Sequence, residues 1–511
     1  MSENARRISS VPPASRAQLK SYPTRSLSSA ASGNEGKSMK VAVVGCGPAG
    51  FYTARDIMKG LENVEVDFIE MLPTPYGLVR YGVAPDHADT KNVTAEFDRV
   101  LQDPRCQFMG HVCVGKDVSL ADLRAMYHAV VLSYGAAADR DLGIEGETME
   151  GSLSARSFVN WYNGHPFYTD LISSLESISS VSIIGNGNVA IDIGRILLKP
   201  VPELAKTDIA DHAIEVLSKS KVEDVHIIGR RGVAQAAWTI AELREIINLQ
   251  GINTHILPEE IQLDAIDAET VAKKRPTKRM VELVQQTAGK PKTSDARKNL
   301  HLHFLQSPVR VLADDKNPSK VGAIELRKNA LEGPAEKRKA VPTDSTKTLP
   351  CSMLLRSVGY KSLPMEGAPF DTKVLSPPYF QLHIVPNEGG NVEPGLYVSG
   401  WLRRGPSGII GTNITDGHQT ATSVLRHWGE AGALEASKPG REGLKQLLAK
   451  KGVEVVSLDG WRRIDQLEKV GEDVVVRSSE DERVWQEMGA RAGRPRVKVT
   501  SEGCGERSEV T

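Results

Sequence analysis

Cysteine is scarce in this chain of 511 residues, and its positions follow no recognisable spacing. No C-x-x-C pair occurs among the five cysteines, which are Cys46, Cys106, Cys113, Cys351 and Cys504. The pattern excludes both a cysteine zinc site and a disulfide framework, and it is typical of proteins from a reducing compartment. We therefore expect no bound metal ion.

Long hydrophobic runs and net charge are also missing. No uninterrupted apolar segment is long enough to cross a bilayer, and 64 basic side chains balance 64 acidic ones. Global charge therefore indicates neither nucleic acid nor a membrane as a partner, so a charged partner must bind a local patch. The length predicts two or more domains.

The first 38 residues differ in composition from the rest of the chain. Up to Ala30 there are five basic residues, one acidic residue and eight serines. This Arg- and Ser-rich, acid-poor composition predicts an organelle transit peptide, with a disordered tail as the alternative. Composition alone does not separate a mitochondrial from a plastid destination.

A first glycine-rich loop follows the apolar segment 41–44. Gly45, Gly47 and Gly50 form a G-x-G-x-x-G pattern between a predicted strand and a predicted helix. These glycines permit a tight turn, the approach of a pyrophosphate, and close packing of helix on strand. The next predicted strand ends in Glu70, 25 residues after Gly45, where a carboxylate accepts from a ribose hydroxyl. The sequence therefore predicts a site for a dinucleotide with a free 2′-hydroxyl.

A second loop, GNGNVA, begins at Gly185 and has Ala190 in place of the third glycine. The apolar segment 225–228 follows and runs into Arg230 and Arg231, where a ribose-binding carboxylate would otherwise stand. Guanidinium groups bind a 2′-phosphate bidentately, whereas a carboxylate repels it. The pair therefore predicts a preference for NADP(H) over NAD(H).

The spacing of this second motif is unusual. Arg230 follows Gly185 by 45 residues, against a usual distance of about 20. The intervening chain must leave the sheet and return, and on spacing alone two exposed strand-end arginines remain an alternative. One site for a free 2′-hydroxyl and one for a 2′-phosphate together indicate a flavoprotein that binds FAD and NADPH.

Seven segments resemble the signature blocks of mitochondrial-type adrenodoxin (ferredoxin)–NADP reductases. The resemblance extends from about Lys40 to Pro495. The segments are GCGPAGFYTARDIM, LPTPYGLVRYGVAPDHADTKNV, SYGAAADRDLGIEG, GNGNVAIDIGRIL, IIGRRGVAQAAWTIAELREII, RSVGYKSLP and GWLRRGPSGIIGTNITDG. This resemblance implies an FAD-dependent oxidoreductase that takes hydride from NADPH and passes single electrons to an acidic [2Fe-2S] ferredoxin.

The resemblance also implies particular site residues. The expected FAD contacts, which include the glycines of the first loop, are Gly45, Gly47, Ala49, Gly50, Glu70, Leu78, Val114, Trp401, Gly408, Ile409 and Ile410. The expected NADP contacts are Asn186, Gly187, Asn188, Val189, Arg230, Arg231, Glu242 and again Gly408. Asn186 stands where the family usually has Gln, so its contact with the nucleotide is expected to differ.

Two further groups of residues follow from the same resemblance. His87 and Asp192 are expected near the nicotinamide as an orienting pair or a proton relay, with His87 as an ordinary loop histidine as the alternative. Arg244, Arg275 and Arg279 are expected to face the ferredoxin, the last two within the basic segment KKRPTKR. A solvated basic loop is the alternative for that segment.

The predicted fold class is α/β, with two dinucleotide-binding Rossmann-like domains and the NADP domain inserted within the FAD domain. The predicted divisions are a transit peptide (1–38), an FAD domain (39–141 and 359–495), an NADP domain (142–358) and a disordered tail (496–511). We expect a monomer in the mitochondrial matrix, in preference to a plastid, with no nucleic-acid partner and at most peripheral association with the inner membrane.

Three other functions share parts of this pattern. A flavin disulfide reductase needs a redox-active cysteine pair, and Cys106 and Cys113 are not suitably spaced. A flavin monooxygenase is expected to carry an F-x-G-x-x-x-H segment, which is not found. A NADPH-binding scaffold or redox sensor without turnover remains open, and flavin content with bleaching by NADPH would distinguish it.

Overall fold

The computed structural model describes residues 38–371, 374–376, 380–381, 383–431, 437–470, 474–477 and 497–500. The predicted transit peptide, apart from residue 38, lies outside the described residues. So does most of the predicted tail, although Val497–Thr500 form a strand that pairs with Val474–Arg477.

The secondary structure consists of short strands and helices that alternate over much of the chain. The strands are β1 (Met39–Val44), β2 (Val64–Ile69), β3 (Cys106–Met109), β4 (Ala129–Leu132), β5 (Ala138–Asp139), β6 (Ser152–Ser154), β7 (Ser180–Ile184), β8 (Asp224–Ile228), β9 (Ile252–Ile256), β10 (Lys298–His303), β11 (Gln306–Ala313), β12 (Val321–Glu332), β13 (Lys339–Pro350), β14 (Met353–Arg356), β15 (Tyr360–Lys361), β16 (Val374–Ser376), β17 (Phe380–Gln381), β18 (Asn391–Glu393), β19 (Leu396–Val398), β20 (Val474–Arg477) and β21 (Val497–Thr500). The α-helices are α1 (Pro48–Gly60), α2 (Leu78–Tyr81), α3 (Ala88–Lys91), α4 (Thr94–Leu101), α5 (Leu120–Met126), α6 (Ala155–Tyr162), α7 (Asn188–Leu198), α8 (Val201–Leu204), α9 (Asp211–Ser218), α10 (Ile240–Ile247), α11 (Ala265–Lys273), α12 (Arg275–Ala288), α13 (Trp401–Arg404), α14 (Thr412–Ala431), α15 (Arg441–Lys450) and α16 (Leu458–Val470).

The first sheet has the strand order β18-β19-β4-β1-β2-β3. All neighbouring pairs are parallel except β18 with β19. Its central strands are almost wholly apolar because helices cover both faces, as is usual for parallel sheets. On one face, Phe51 of α1 packs in the same buried cluster as Ala421 and Val424 of α14. The C-terminal part of the chain therefore completes the layer over the first glycine-rich loop.

The second sheet is entirely parallel and has the order β6-β14-β7-β8-β10-β9. One face packs on α6, α7, α10 and α12 through a large buried cluster. An antiparallel sheet of β11, β12 and β13 contributes to a smaller apolar cluster with Ile184, Ile228 and Leu354. All strands of the second sheet and of this antiparallel sheet follow β4 and precede β18 in the chain. The unit of the second sheet is therefore inserted within the unit of the first. The predicted α/β class is confirmed.

The chain passes between the two sheets at two neighbouring points. β5 leads from the first sheet to the second and β15 leads back, and the two strands pair antiparallel, Tyr360 opposite Asp139. After α15 the sequence suggests a strand at VEVV, but only Val456 pairs there, through a bridge to Gly110. Within the described residues, no helix is both long enough and apolar enough to cross a membrane.

Candidate functional site

The first glycine-rich loop joins β1 to α1 in a backbone conformation that requires glycine. Gly45 has φ of +96°, and a Cβ there would lie 2.7 Å from the Cα of Tyr134. A Cβ at Gly50 would lie 2.5 Å from the carbonyl oxygen of Gly45, so helix and strand pack at minimal distance. A Cβ at Gly47 would meet nothing within 4 Å. The loop is therefore tight on its protein side and open at Gly47, where α1 begins without a capping side chain.

Glu70 holds the other side of this loop. Its Oε2 accepts from the backbone N–H of Cys46 at 2.7 Å, and its Oε1 accepts from the N–H of Leu72 at 3.1 Å. Burial raises the pKa of the Glu70 carboxyl, while the backbone N–H donors of Cys46 and Leu72 oppose that rise. The predicted ribose-binding carboxylate thus stands directly beside the glycine turn, at the end of β2.

Distant parts of the chain converge on the same loop. A Cβ at Gly400 would lie 2.5 Å from Ala49 Cβ, so the segment before α13 touches the first turn of α1. A Cβ at Gly77, which has φ of +51°, would lie 3.3 Å from Gly47 Cα, and Leu78 follows at the start of α2. These two segments therefore lie against the loop, one at Ala49 and the other at Gly47.

The predicted C-terminal FAD contacts form a compact turn. Trp401 Nε1 donates to the carbonyl oxygen of Ser407 at 3.0 Å, which folds the segment back over α13. Gly408 has φ of +83°, and a Cβ there would lie 2.7 Å from Thr412 Oγ1. Ile409 is 70% exposed although it is a large aliphatic residue. Its N–H donates to Thr412 Oγ1 at 3.1 Å.

The remaining predicted FAD residues lie beneath this turn and along the sheet. Ile410 packs on the buried cluster between the first sheet and α1. Val114 packs on the apolar cluster of the opposite face, shortly after Val112, whose N–H donates to the Glu70 carbonyl at 2.9 Å. The fold therefore brings the neighbourhoods of Glu70 and Val114 together along one sheet edge.

The second loop repeats this geometry between β7 and α7. Gly185 has φ of +134°, and a Cβ there would collide with the carbonyl oxygen of Ser357. Gly187 precedes α7, which has no capping side chain, and a Cβ at Gly187 would meet nothing within 4 Å. Asn188 Oδ1 accepts from the N–H of Thr239 at 3.0 Å, and Val189 packs partly into the core of this unit.

Asn186 connects the second loop to the end of β8. The side-chain amide of Asn186 lies against Gly229, where a Cβ would collide with it. The backbone carbonyl oxygen of Asn186 accepts from the N–H of Ala237 at 3.0 Å. Its Oδ1 atom is buried and has no hydrogen-bond partner among the described residues. Asn186 therefore offers an unused acceptor beside the position from which the arginine pair begins.

The arginine pair lies at the edge where the loop opens. β7 and β8 are parallel neighbours with Ile184 opposite Ile228, so Gly185 and Gly229 leave the sheet side by side. The chain between them forms α8 and α9, which explains the long spacing in the sequence. Arg230 and Arg231 follow at once and are exposed.

A third arginine, which the sequence did not indicate, belongs to the same positive region. Arg231 reaches solvent, but partial desolvation by the protein around it and the charge of Arg230 lower its pKa, and the same two causes lower the pKa of Arg140. The charge of Arg230 therefore acts on both of the other guanidinium groups. Arg140 arrives from β5, 90 residues earlier in the chain, and its Nε donates to the Tyr360 carbonyl at 3.0 Å.

His87 and Asp192 are near each other in the fold but bind different partners. His87 Nε2 lies 2.9 Å from Glu245 Oε2, and Asp192 Oδ1 accepts from Arg195 at 2.8 Å. Arg195 also donates to Glu242 Oε2 at 3.2 Å. The two residues that are expected to orient or relay protons thus belong to one network of charged groups, which also includes the predicted nucleotide contact Glu242.

Asp192 is an unusual acid in this network. Burial raises its pKa to about 6, although the charge of Arg195 opposes the rise. Nearby, Tyr360 stacks on Trp401 with ring centroids 5.4 Å apart. Burial raises the pKa of Tyr360, and the charges of Asp139 and Asp192 add to this. These aromatic rings therefore connect the C-terminal turn of the first unit with α7 of the second.

The three arginines expected to bind the acceptor are all exposed. Arg244 lies on α10, and Arg275 and Arg279 lie on the first turns of α12, which packs beside α10. Across the part of the chain that the structure describes, none of the three takes part in an ion pair. Two cations at the positive end of a helix are unfavourable for the helix itself. This arrangement favours a role outside the chain over a structural one.

The described cysteines do not support disulfide chemistry. Cys46, Cys106, Cys113 and Cys351 are free thiols. Burial raises the pKa of each of them, for Cys106 to about 12 and for Cys351 to about 11. Reactive cysteines need a lowered pKa, so these thiols are poor nucleophiles.

No protein-family model matches the chain, whereas whole-chain comparisons show extensive similarity. It is 43% identical over 485 residues to the mitochondrial NADPH:adrenodoxin oxidoreductase of Arabidopsis thaliana, covering 94% of this chain and 96% of that protein. It is 42% identical over 442 residues to the human mitochondrial NADPH:adrenodoxin oxidoreductase, covering 84% and 87%.

A solved structure is also similar to this chain. The complex of Mycobacterium tuberculosis FprA with NADPH superposes with a TM-score of 0.79 at 36% identity, covering 91% of this chain and 98% of that one. FprA is named an NADPH-ferredoxin reductase. The similarity thus extends from sequence to tertiary structure over nearly the whole chain. This chain belongs to the NADPH:adrenodoxin oxidoreductase family of enzymes.

Proposed function

We propose that this protein is an FAD-dependent oxidoreductase that takes hydride from NADPH and passes single electrons to a [2Fe-2S] ferredoxin of the adrenodoxin type. One observation carries the proposal. Two glycine-rich loops open at Gly47 and Gly187, one beside the carboxylate of Glu70 and the other beside Arg230 and Arg231. Relatives that match this chain over most of their length and are named NADPH:adrenodoxin oxidoreductase support the same reaction.

The residues of the first loop fit FAD. The open backbone at Gly47 and the uncapped start of α1 suit a pyrophosphate, because helix N-termini bind anions. Glu70 stands where it can accept from a ribose hydroxyl. The surrounding residues that we propose as contacts are Ala49, Leu78, Val114, Trp401, Gly408, Ile409 and Ile410. Bound there, FAD would accept a hydride equivalent and release electrons one at a time.

The residues of the second loop fit NADPH. Gly187 and the uncapped start of α7 suit its pyrophosphate, and Arg230 and Arg231 suit its 2′-phosphate. Asn186 Oδ1, buried and unpartnered among the described residues, offers an acceptor to the same ligand. We propose Asn188, Val189 and Glu242 as further members of this site, with Gly408 shared by both.

The remaining residues would orient the reactants and control protons. We propose that the stacked rings of Trp401 and Tyr360 help to shield the reacting groups from water. We propose that Asp192 takes up and releases a proton near pH 6, and that His87 with Glu245 fixes the facing side of the network. Hydride transfer itself needs no general base, so these groups act by orientation and charge.

The ferredoxin would dock on the exposed arginines of α10 and α12. Arg244, Arg275 and Arg279 present positive charge on a molecule with no net charge, which attracts an acidic partner by electrostatic steering. Because its relatives are named mitochondrial, we propose that the protein is mitochondrial, in the matrix. We further propose a monomer with at most peripheral membrane association, and the domain divisions predicted from the sequence.

A spectrum of the purified protein tests the proposal. We expect flavin absorbance bands that bleach on anaerobic addition of NADPH and return when an oxidised ferredoxin is added. Cofactor released by denaturation and separated by chromatography should be FAD, because the proposed contact of Glu70 is with an adenosine ribose, which FMN lacks. A colourless protein, or FMN alone, would contradict the proposal. A flavin that NADPH does not bleach would support the scaffold without turnover.

A further inference from the structure

Four histidines lie side by side on neighbouring strands of the second sheet. His226 on β8, His301 on β10 and His255 on β9 are direct neighbours in the strand register, and His303 follows His301 by two residues. The rings of His226 and His301 stack with centroids 4.2 Å apart, and those of His255 and His301 with centroids 4.7 Å apart. Interior strands of a parallel sheet are normally apolar on both faces. A row of imidazoles is therefore unusual on such strands.

We propose that His226, His301 and His303 form a binding site for a divalent transition-metal ion, with Zn²⁺ as the ion of choice. One ring nitrogen from each residue lies within 4.8 Å of those of the other two. His226 Nδ1 and His303 Nε2 are 3.2 Å apart. Two nitrogens bound to one tetrahedral Zn²⁺ lie roughly 3.3 Å apart, so this pair is already spaced for a shared ion.

Two of the three proposed ligands, His301 and His303, have a carboxylate near the ring nitrogen that would not bind the ion. His301 Nε2 lies 2.8 Å from Asp224 Oδ1, which leaves its Nδ1 for the ion. His303 Nδ1 is buried without a hydrogen-bond partner among the described residues, and Glu260 Oε2 is 3.8 Å away from it. A carboxylate behind a metal-bound imidazole fixes its orientation and raises its basicity. The surroundings are therefore those of a metal ligand set.

The charges around the cluster agree with this arrangement. The charged groups around the cluster are Asp224, Glu260 and Lys347, and Lys347 Nζ lies 3.2 Å from Glu260 Oε1. Two carboxylates and one ammonium leave one net negative charge for a cation.

Zinc binding by the full-length protein tests the proposal. The chain is stripped with a chelator, dialysed against buffered Zn²⁺, and its zinc content is measured by mass spectrometry. We expect one tightly bound equivalent in the wild type, and at least tenfold weaker binding in His226→Asn and in His303→Asn. His255→Asn is the matched control, because His255 shares the row but bonds to Asn299 outside the ligand set. It should bind zinc as the wild type does.

Two further measurements separate binding from folding. Far-ultraviolet circular dichroism shows whether each variant is folded, and added Zn²⁺ should raise the thermal midpoint of the wild type and His255→Asn only. Asp224→Asn should weaken zinc binding by about ten- to a hundredfold through its effect on His301. A wild type that retains no zinc would overturn the proposal. Equal zinc in a folded His226→Asn or His303→Asn would do so too, since the ion would then bind elsewhere, for example at His87, Glu242 and Glu245.

Discussion

Arg195 binds Asp86 through two hydrogen bonds, Nε to Oδ2 at 2.7 Å and Nη2 to Oδ1 at 2.9 Å. The two residues are 109 positions apart, and their side chains are 0% and 3% exposed. Asp86 follows α2, which belongs to the unit of the first sheet, whereas Arg195 lies on α7 of the second. This buried ion pair therefore fixes the first unit against the helix that begins at the second glycine-rich loop.

Asp86→Asn should destabilise the protein by about 3 kcal/mol, because it leaves a buried guanidinium with one charged partner fewer. Arg195 keeps Asp192 and Glu242, so the loss stays at the lower end of the range for buried pairs. Urea unfolding measures it. Asp208→Asn is the control, since Asp208 binds Lys91 at a position where its side chain is 55% exposed, and it should cost at most about 1 kcal/mol. Equal losses of unfolding free energy in the two variants would show that the buried Asp86–Arg195 pair stabilises the protein no more than the exposed Lys91–Asp208 pair.

The same pair should contribute to acid sensitivity. Burial alone would raise the pKa of Asp86, but Arg195 and Lys199 outweigh it and hold the pKa well below its usual range. A carboxyl with a depressed folded-state pKa stabilises the protein above its unfolded pKa of about 4, and this contribution is lost as pH falls through the folded-state pKa. The stability difference between wild type and Asp86→Asn should therefore shrink below pH 4. A constant difference down to pH 2 would contradict this assignment.

Asp192 should show the opposite dependence. Its pKa is raised to about 6 by burial, so the contribution of this group to stability is present below about pH 4 and lost as pH rises from 4 to 6. Asp192→Asn should therefore be more stable than the wild type at pH 8, by about 1–3 kcal/mol, and no more stable at pH 4. The exposed Asp295→Asn is the control.

The kinetics of Asp192→Asn give a second measurement. If Asp192 holds a proton near the reacting rings, the rate of flavin reduction by NADPH should change around pH 6 in the wild type. That change should be absent in Asp192→Asn and present in Asp295→Asn. An unaltered pH profile in Asp192→Asn would mean that the proton on Asp192 has no part in the reaction.

Arg230→Ala and Arg231→Ala should each raise the KM for NADPH and leave the KM for NADH nearly unchanged. Loss of one charge-assisted contact to a phosphate costs about 1.5–3 kcal/mol, or roughly ten- to a hundredfold. Arg310→Ala removes an exposed arginine of β11 and serves as the control. Equal losses for NADPH and NADH would make Arg230 and Arg231 structural residues.

Arg275→Glu combined with Arg279→Glu should slow reduction of a ferredoxin and leave reduction of a small uncharged quinone intact. Acidic residues in the first turns of α12 favour the helix dipole, so unfolding would not explain the loss. Raised ionic strength should slow the wild-type ferredoxin reaction in the same way, because the Debye length shortens from about 8 Å at physiological salt. Stopped-flow reduction rates measure both effects.

The matched control for docking reverses two other exposed charges, Lys290 at the far end of α12 and Lys316 between β11 and β12. Lys290→Glu with Lys316→Glu makes the same change in net charge. It should therefore keep most of the ferredoxin rate if docking depends on position. Equal slowing by both double variants would mean that only overall charge matters. An unchanged rate in the arginine variant would place the partner elsewhere.

The sequence by itself determined the features that depend on neighbouring residues. Gly45, Gly50 and Gly185 must be glycine because of backbone conformation or close packing, and such requirements are written in short motifs. The ends of β2 and β8 follow from apolar runs, which placed Glu70 and Arg230 at the edges of predicted strands. Family resemblance, spread over seven segments, supplied the reaction and the partner.

Tertiary structure alone decided which distant side chains meet. His87 binds Glu245 rather than Asp192, and Asp86 meets Arg195, because the packing of α7 and α10 against the first unit sets those distances. The histidine row shows the same limit. His226, His255 and His301 come from three separate segments and become neighbours only when β8, β10 and β9 align in register, since strand order and register are settled by the packing of the whole sheet.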